Sequence, residues 1–235
     1  MGDTADDGSS NEMLRVMAAR AVAIERRLRG EPADLTDPIE RVKEHCHRVG
    51  AASVRYKWVP PNYYETPLEG RARELGAEPE QLCKTMIMEN KSFDENDPTM
   101  ERFYLVVVQY AARLSSQKIS AAVTRLKAKA GGGARGRCNL QVAPEEVGLS
   151  LSGFPHNGVT VFGGLHPMPI ILSDAVLSLR PAFVWMGSGH PLLKLGVSVK
   201  DLVTKLGAFV ADISIPRDAA AAAAAAAAGE DDSFS

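Results

Sequence analysis

The stretch QLCKTMIMEN, residues 81–90, is mostly apolar and carries one lysine near its start. The pattern predicts a strand, and because strand side chains alternate between two faces, Lys84 shares a face with Met86 and Met88. The opposite face carries Cys83, Thr85 and Ile87. Lysine is rarely buried without a partner. The Lys84 ammonium therefore either reaches solvent past an apolar stem or points into a pocket that binds an anion.

Composition limits the class of protein. The chain has 235 residues, 45% of them hydrophobic and 24% charged, with a formal net charge of −2. These values predict one globular domain with appendages, and the overall charge indicates no nucleic-acid partner. The three cysteines are odd in number and widely spaced, which predicts no disulfide framework and a reducing compartment. We therefore expect a cytoplasmic protein.

Metal sites and membrane spans are not expected from the sequence. The residues of His45-Cys46-His47 point in different directions on a helix, and no second ligand pair follows at a metal-site spacing. No apolar run approaches the roughly 20 residues that cross a bilayer. The sequence thus predicts no metal, no cofactor and no membrane partner.

The chain divides into three predicted segments. Residues 1–36 comprise a polar, acidic start of twelve residues that predicts disorder, an amphipathic helix, and a linker from Gly30. Residues 37–215 form the compact domain. Residues 216–235 are a low-complexity tail with ten consecutive alanines.

The predicted N-terminal helix carries an apolar stripe with alternating steps of three and four residues. The stripe consists of Leu14, Met17, Ala21, Ile24 and Leu28. Two interpretations compete, because the stripe either packs on its own domain or docks a partner. Packing is favoured, since most amphipathic helices cover their own core.

Helical and strand patterns are interleaved through the compact domain. Asp37-Pro38 can begin a helix that ends near Gly50, and residues 66–69 have the pattern of a capping box for a second helix. The β-branched run at residues 103–110 predicts a central strand. The domain is therefore predicted to be mixed, of the α/β or α+β class.

Basic residues are concentrated in one part of the chain, because residues 102–144 contain no Asp or Glu. This distribution indicates a polyanion-binding side or, equally, a solvated helix face with a loop. The candidate polyanion contacts in it are Arg113, Lys118, Arg125, Lys127, Lys129, Arg135 and Arg137.

Motifs of common enzymes are absent: there is no G-x-S-x-G, no H-E-x-x-H, no G-x-x-x-x-G-K-[ST] and no G-x-G-x-x-G that follows a strand. One sequence does not exclude a Ser–His–Asp triad, but no feature indicates one. The segment SGFPHNGVTVFGGLHPMPIIL, residues 152–172, is rich in glycine. Such a segment either brings backbone N–H groups close to a ligand or serves as a multi-turn connection.

Several motifs, taken in order, resemble the YbaK/prolyl-tRNA synthetase-associated domain family of trans-editing aminoacyl-tRNA deacylases. They are the CKTMIME strand, the loop TVFGGLHPMPIIL and the stretch FVWMGSGHPLLKLGVSVKDLVTKLGAFV. The resemblance runs from about Ile39 to Ile213, and the 91–101 loop with the strand YLVVVQY resembles the eukaryotic stand-alone branch. It implies a curved, mixed, barrel-like β-sheet core surrounded by helices, with the N-terminal helix as an extra element.

The resemblance also implies a reaction and a site. Lys84 matches the pocket lysine that holds the 3′ end of aminoacyl-tRNA, and the backbone amides of Gly158, Val159 and Thr160 match those around the ester carbonyl. Water is the nucleophile, assisted by the terminal ribose hydroxyl of the tRNA. The further candidate substrate contacts are His156, Asn157, Gly187, Ser188 and Gly189.

The loop departs from the family pattern G-x-x-x-P, because Asn157 and Val161 occupy those two positions in the preferred alignment. A second register, Gly163 to Pro167, matches literally but shifts the following strand. The departure puts amino-acid specificity in doubt. It also keeps an alternative open, in which the domain binds tRNA or an aminoacyl-tRNA synthetase without hydrolysing anything, docking through the helix at residues 13–29.

Overall fold

The computed structural model describes residues 7–31, 33–129, 131 and 138–217. The predicted tail beyond residue 217, the glycines at 132–133, and Arg135 and Arg137 lie outside the described residues. The helices are α1 (Asp7–Leu28), α2 (Pro38–Arg48), α3 (Leu68–Leu75), α4 (Ser116–Lys129), α5 (Glu145–Ser152) and α6 (Val199–Thr204). In this part of the chain, no helix combines the length and hydropathy that a membrane crossing requires.

The strands form three sheets, which together match the mixed α/β class that the sequence predicts. They are β1 (Arg55–Trp58), β2 (Cys83–Asn90), β3 (Phe103–Gln109), β4 (Ala112–Leu114), β5 (Leu140–Val142), β6 (Ile170–Ser173), β7 (Phe183–Gly187), β8 (Leu193–Ser198), β9 (Phe209–Ala211) and β10 (Ser214–Pro216). The largest sheet has the order β5-β2-β3-β6-β9, with antiparallel pairs around β2 and parallel pairs around β6. A second sheet is β1-β8-β7, and β10 pairs with β4.

The two larger sheets meet at β2 and β7, where Leu82 bridges to Trp185. Strand β2 alternates as predicted, because Cys83 and Ile87 lie in the core between the sheets. Met88 lies instead in the core beneath α4, with Met86 packed against it. The apolar alternation of residues 83–88 therefore places β2 between two cores.

Helix α1 differs from its prediction in two ways. Residues 7–12, predicted to be disordered, belong to the helix. The apolar stripe, predicted to pack on the domain, is exposed instead: Leu14 is 65% exposed and Leu28 is 83% exposed. The helix meets the rest of the chain through polar contacts, with Arg20 5.1 Å from the Trp58 ring and Arg26 3.0 Å from Asp34. Those contacts lie off the apolar stripe, which explains why it stays uncovered.

The helix boundaries show which local signals acted. Asp37 accepts a hydrogen bond from the Ile39 N–H at 2.8 Å, so α2 begins as predicted. Gly76, at a φ of 66°, ends α3 in the left-handed conformation that glycine adopts without strain. The predicted capping box at residues 66–69 is wrong, because the Thr66 hydroxyl donates to the Asn62 carbonyl at 3.1 Å.

Candidate functional site

A cavity of about 250 Å³ lies where β2 and α3 meet β7, β8 and the glycine-rich segment. Five of the residues predicted to form the site line it: Lys84, His156, Asn157, Val159 and Gly187. They come from three separate regions of the sequence, so the fold brings them together. The remaining wall is mostly apolar and aromatic, with contributions from α3 and α5.

Lys84 is half-buried in the cavity wall, two residues after Leu82 at the start of β2. It pairs across the ladder with Val108 of β3, which fixes its backbone beside the central strand of the largest sheet. Lys84 therefore lies in the wall of a cavity, as the pocket interpretation of this lysine requires. An ammonium in a partly buried wall interacts with anions more strongly than one in bulk water, because the effective dielectric constant is lower there.

The glycine loop turns sharply beside Lys84. Asn157 has a φ of 61°, and the Gly158 N–H donates to the Pro155 carbonyl at 2.9 Å, which closes a tight turn. Gly158 was predicted to offer its N–H to the substrate, and this turn corrects that prediction because the N–H is already used. Within the described residues, the N–H groups of Val159 and Thr160 donate to no protein group.

The turn at residues 187–189 lies against this loop. A Cβ on Gly187 would lie 2.4 Å from the Val159 carbonyl oxygen, so only glycine allows the two backbones to approach. The Gly189 N–H donates to the Gly158 carbonyl at 2.8 Å. Ser188 is fully buried and does not line the cavity, and its hydroxyl has no partner among the described residues. Gly187 forms the wall, while Ser188 and Gly189 support it.

The second register of the loop, Gly163 to Pro167, lies away from the cavity. The Gly163 N–H donates to His45 Nδ1 at 2.6 Å, and its carbonyl accepts from Arg41 Nε at 2.6 Å, so this stretch is fixed to α2. Burial lowers the pKa of His45, which keeps the imidazole neutral and able to accept that bond. His45 thus holds this part of the loop on the side away from the cavity.

A cationic and aromatic part of the cavity wall was not predicted. Lys194 of β8 is 4% exposed and lines the cavity with Tyr64, Arg71 and Tyr110. The Arg71 guanidinium carbon lies 5.2 Å from the centre of the Tyr64 ring and 5.9 Å from that of Tyr110. The sequence does contain a signal for a second cavity lysine. The stretch LLKLGV places Lys194 within an apolar strand, as residues 81–90 do for Lys84.

The pKa values in this wall follow from burial. Burial, and then the nearby Arg71 charge, lower the pKa of Lys194 to about 7. Burial raises the pKa of Tyr64 well above its usual range, so its hydroxyl keeps its proton. Burial also raises the pKa of Cys83 to about 12, so this cavity thiol stays protonated and is a poor nucleophile.

Of the basic residues predicted to contact tRNA, none of the five that the structure describes lines the cavity. Arg113, Arg125 and Lys129 are exposed, whereas Lys118 pairs with Asp212 at 2.9 Å and Lys127 with Asp97 at 2.5 Å. The carboxylates come from segments outside the basic stretch, so the sequence distribution did not reveal these two pairs.

Comparison with known proteins agrees with this architecture. The sequence model of a family described as the aminoacyl-tRNA editing domain matches residues 66–205, more than half of the chain. The match includes Lys84, the glycine loop and the turn at residues 187–189. A search of curated proteins found no match.

Solved structures share the fold. One is of a protein proposed to be a trans-editing enzyme for prolyl tRNA synthetase; it is 26% identical, with a TM-score of 0.58 over 76% of this chain and 97% of the other. A scaffold protein used in the computational grafting of epitopes is 22% identical, with a TM-score of 0.58 over 77% of this chain and 98% of the other. A hypothetical protein is also 22% identical, with a TM-score of 0.55 over 74% and 99%. These last two show the fold alone.

Proposed function

Because the chain belongs to the aminoacyl-tRNA editing domain family, we propose that it is a trans-editing deacylase that hydrolyses mischarged aminoacyl-tRNA. One observation carries the proposal: a half-buried lysine and an unused backbone N–H, those of Lys84 and Val159, line the same cavity. A cation and a directed N–H donor are the two groups that an anionic RNA end and an ester carbonyl require.

In the proposed reaction, Lys84 holds the 3′ end of the aminoacyl-tRNA through phosphate or ester oxygens. The N–H groups of Val159 and Thr160 stabilise the negative charge that develops on the carbonyl oxygen. Water adds to the carbonyl carbon, the bond from that carbon to the ribose oxygen breaks, and the ribose oxygen takes up a proton. The products are the free amino acid and the tRNA. The terminal ribose hydroxyl of the substrate assists the water.

The protonated Cys83 thiol supports water as the nucleophile, because a covalent mechanism through this residue would need a thiolate. His156 and Asn157, both at the cavity, are proposed to contact the substrate. Arg113, Arg125 and Lys129 are exposed and are proposed to contact tRNA phosphates. We propose the cytoplasm, where charged tRNAs are used, as the site of action.

Hydrolysis of a panel of mischarged tRNAs, including Ala-tRNA(Pro), Ser-tRNA and Thr-tRNA species, tests the proposal. We expect wild-type protein to deacylate at least one of them, and Lys84→Ala to lower kcat/KM by about 100-fold, as the loss of a preorganised charged contact does. Lys200→Ala, on the exposed face of α6, is the matched control and should leave the rate unchanged. A fully active Lys84→Ala protein would contradict the assigned role.

The second candidate function is a binding module that docks a prolyl-tRNA synthetase through α1 without hydrolysis. The exposed apolar stripe of α1 favours it, because nothing in the described part of the chain covers Leu14 or Leu28. Pull-down of the synthetase by the full chain and by residues 37–235 separates the candidates. Capture that disappears with α1, together with no turnover on any tRNA, would replace the deacylase proposal by this one.

A further inference from the structure

We propose that Lys194 is a positioning residue of the editing site, which acts through Tyr64 to hold the glycine loop in its reactive shape. The inference rests on the proposed deacylase function and deepens it. Lys194 and Tyr64 were not among the predicted site residues, and neither is assigned to the contacts of Lys84 or of the loop amides.

Lys194 lies on the same face of its sheet as the loop. In the β7-β8 ladder it pairs directly with Gly187. The Val159 carbonyl packs against Gly187. Paired residues of antiparallel strands project to one side, so the lysine side chain runs alongside the loop. Its Nζ donates to the Tyr64 hydroxyl at 2.5 Å and to the Pro191 carbonyl at 2.6 Å.

Tyr64 links Lys194 to the loop by a second hydrogen bond. Its hydroxyl donates to the main-chain carbonyl of Asn157 at 3.2 Å, across 93 residues of sequence. Asn157 is the non-glycine residue with a left-handed φ in the described chain, a conformation that costs free energy and needs support from its surroundings. The hydrogen bond to its carbonyl is one such support.

The geometry of two consecutive peptide units links the Tyr64 hydrogen bond to the orientation of the Val159 N–H. The peptide joining Asn157 to Gly158 is held at its carbonyl by Tyr64 and at its N–H by the Pro155 carbonyl. In the next planar trans unit, the Val159 N–H points opposite to the Gly158 carbonyl. The Gly158 carbonyl accepts from the Gly189 N–H at 2.8 Å, so both peptide units that flank Gly158 are held. Together these bonds constrain where the Val159 N–H points, which is the donor proposed to meet the ester.

The charge of Lys194 gives this chain of hydrogen bonds a direction. Among the described residues, Lys194 forms no ion pair. The charged and titratable groups around Lys194 and Tyr64 are Arg71 of α3, Tyr63, Tyr110, which is hydrogen-bonded to Tyr64, and Lys57 of β1, which itself pairs with Glu74. An ammonium only donates, so it leaves the Tyr64 proton for the Asn157 carbonyl. A neutral amine has a lone pair that can accept that proton and so release the loop.

The sign of the pH dependence follows. The pKa of Lys194 is lowered to about 7, chiefly by burial, so the charged form holds the loop below that pH and is lost as the pH rises through it. After correction for spontaneous hydrolysis, we expect the wild-type kcat to fall above about pH 7. In Lys194→Met, which has no titrating group at this position, that fall should be absent.

Two variants test the inference, with two independent measurements. Lys194→Met and Tyr64→Phe are each expected to lower kcat about tenfold or more while KM changes less than threefold, because loop geometry and not affinity is lost. The double variant should be no slower than the worse single one, since both act in one chain of contacts. Tyr63→Phe, which removes a neighbouring hydroxyl that has no hydrogen-bond partner in the described structure, is the matched control for a lost phenol.

The second measurement needs no substrate. The amide protons of Gly158 and Gly189 make the hydrogen bonds that close the loop, and both should exchange with solvent at least tenfold faster in the two variants. The Val107 amide in β3 reports global stability and should be unchanged.

Unchanged kcat, or unchanged exchange at both glycines, would overturn the inference. A wild-type protein that hydrolyses no tRNA, with faster exchange in the variants, would contradict the deacylase proposal while the positioning role of Lys194 stands.

Discussion

At the level of single residues, the two cavity lysines differ in what surrounds them. Lys84 is half-buried, whereas Lys194 is 4% exposed and has its Nζ within hydrogen-bond distance of a phenol and a carbonyl. We propose that the half-buried Lys84 contacts the anionic substrate from the cavity wall. A fully buried ammonium is better suited to hold protein groups in place. The same residue type in similar apolar strands is therefore proposed to serve binding in one case and positioning in the other.

Gly187 gives a sharp test of the backbone approach that forms the cavity wall. In Gly187→Ala the new Cβ would lie 2.4 Å from the Val159 carbonyl oxygen and 2.8 Å from the Gly158 carbonyl carbon. Because backbone must move, we expect the free energy of unfolding to fall by about 1–3 kcal/mol and deacylation to be lost. Urea unfolding and single-turnover hydrolysis measure the two effects.

Gly164→Ala is the matched control for that substitution. Its Cβ would meet the His166 carbonyl oxygen at 3.6 Å, an ordinary contact, and Gly164 does not line the cavity. If Gly187→Ala retained wild-type activity, the loop would not depend on the close approach.

At the level of elements, α2 contacts both the glycine-rich segment, at Gly163, and the turn at residues 187–189. Gly163 lies against Arg41 of α2, where a Cβ would be 2.8 Å from the Arg41 carbonyl oxygen. Gly189 lies against the first residue of the same helix, with a Cβ that would be 2.9 Å from the Pro38 carbonyl oxygen. Helix α2 therefore supports the glycine-rich segment and the turn from behind, on the side away from the cavity.

Arg41 connects α2 to the end of α5 and to the loop. Its guanidinium donates to the carbonyls of Gly163, Ser152 and Gly153 at 2.6, 3.2 and 3.1 Å. Arg41→Ala leaves these acceptors without their donor, so we expect the free energy of unfolding to fall by about 2–4 kcal/mol, measured by urea denaturation. Arg48→Ala, on the exposed end of the same helix, should change it by less than about 0.5 kcal/mol. Equal effects of the two would show that the Arg41 contacts are dispensable.

The sequence correctly predicts the elements whose signals are local. The Asp37 cap, the Gly76 stop and the alternation of β2 depend on neighbours a few residues away, and all three are confirmed. The short strands β4, β5, β9 and β10 were not predicted, because three residues are too few for a periodic pattern. The hydrogen bond from Tyr64 to Asn157 joins residues that are 93 apart in the sequence, so no local pattern predicts it.

At the level of the whole molecule, charge is less one-sided than the sequence indicated. Two of the predicted tRNA contacts, Lys118 and Lys127, are neutralised by Asp212 and Asp97. Arg113, Arg125 and Lys129 remain exposed in the described structure. A tRNA-binding surface built on these residues would make fewer phosphate contacts than a count of basic residues implies.

Salt dependence measures how many of these cations contact tRNA. We expect KM for deacylation to rise with salt, with a log–log slope of roughly 0.7–0.9 for each phosphate contact. Replacing Arg113, Arg125 and Lys129 with glutamine should lower that slope, whereas Lys118→Gln should lower it less because Asp212 already neutralises this cation. A KM that does not depend on salt would exclude the basic stretch from tRNA binding.

The contact between the two glycine turns also constrains how the protein can diverge over evolution. A Cβ on Gly158 would lie 3.1 Å from the backbone of residues 189 and 190, and a Cβ on Gly187 would lie 2.4 Å from that of Val159. A side chain added to Gly158 or to Gly187 would displace the opposite backbone. We therefore expect a substitution at either position to be tolerated only together with a change at the other. In relatives that have changed their amino-acid preference, we expect the cavity side chains to vary while Gly158 and Gly187 are inherited together.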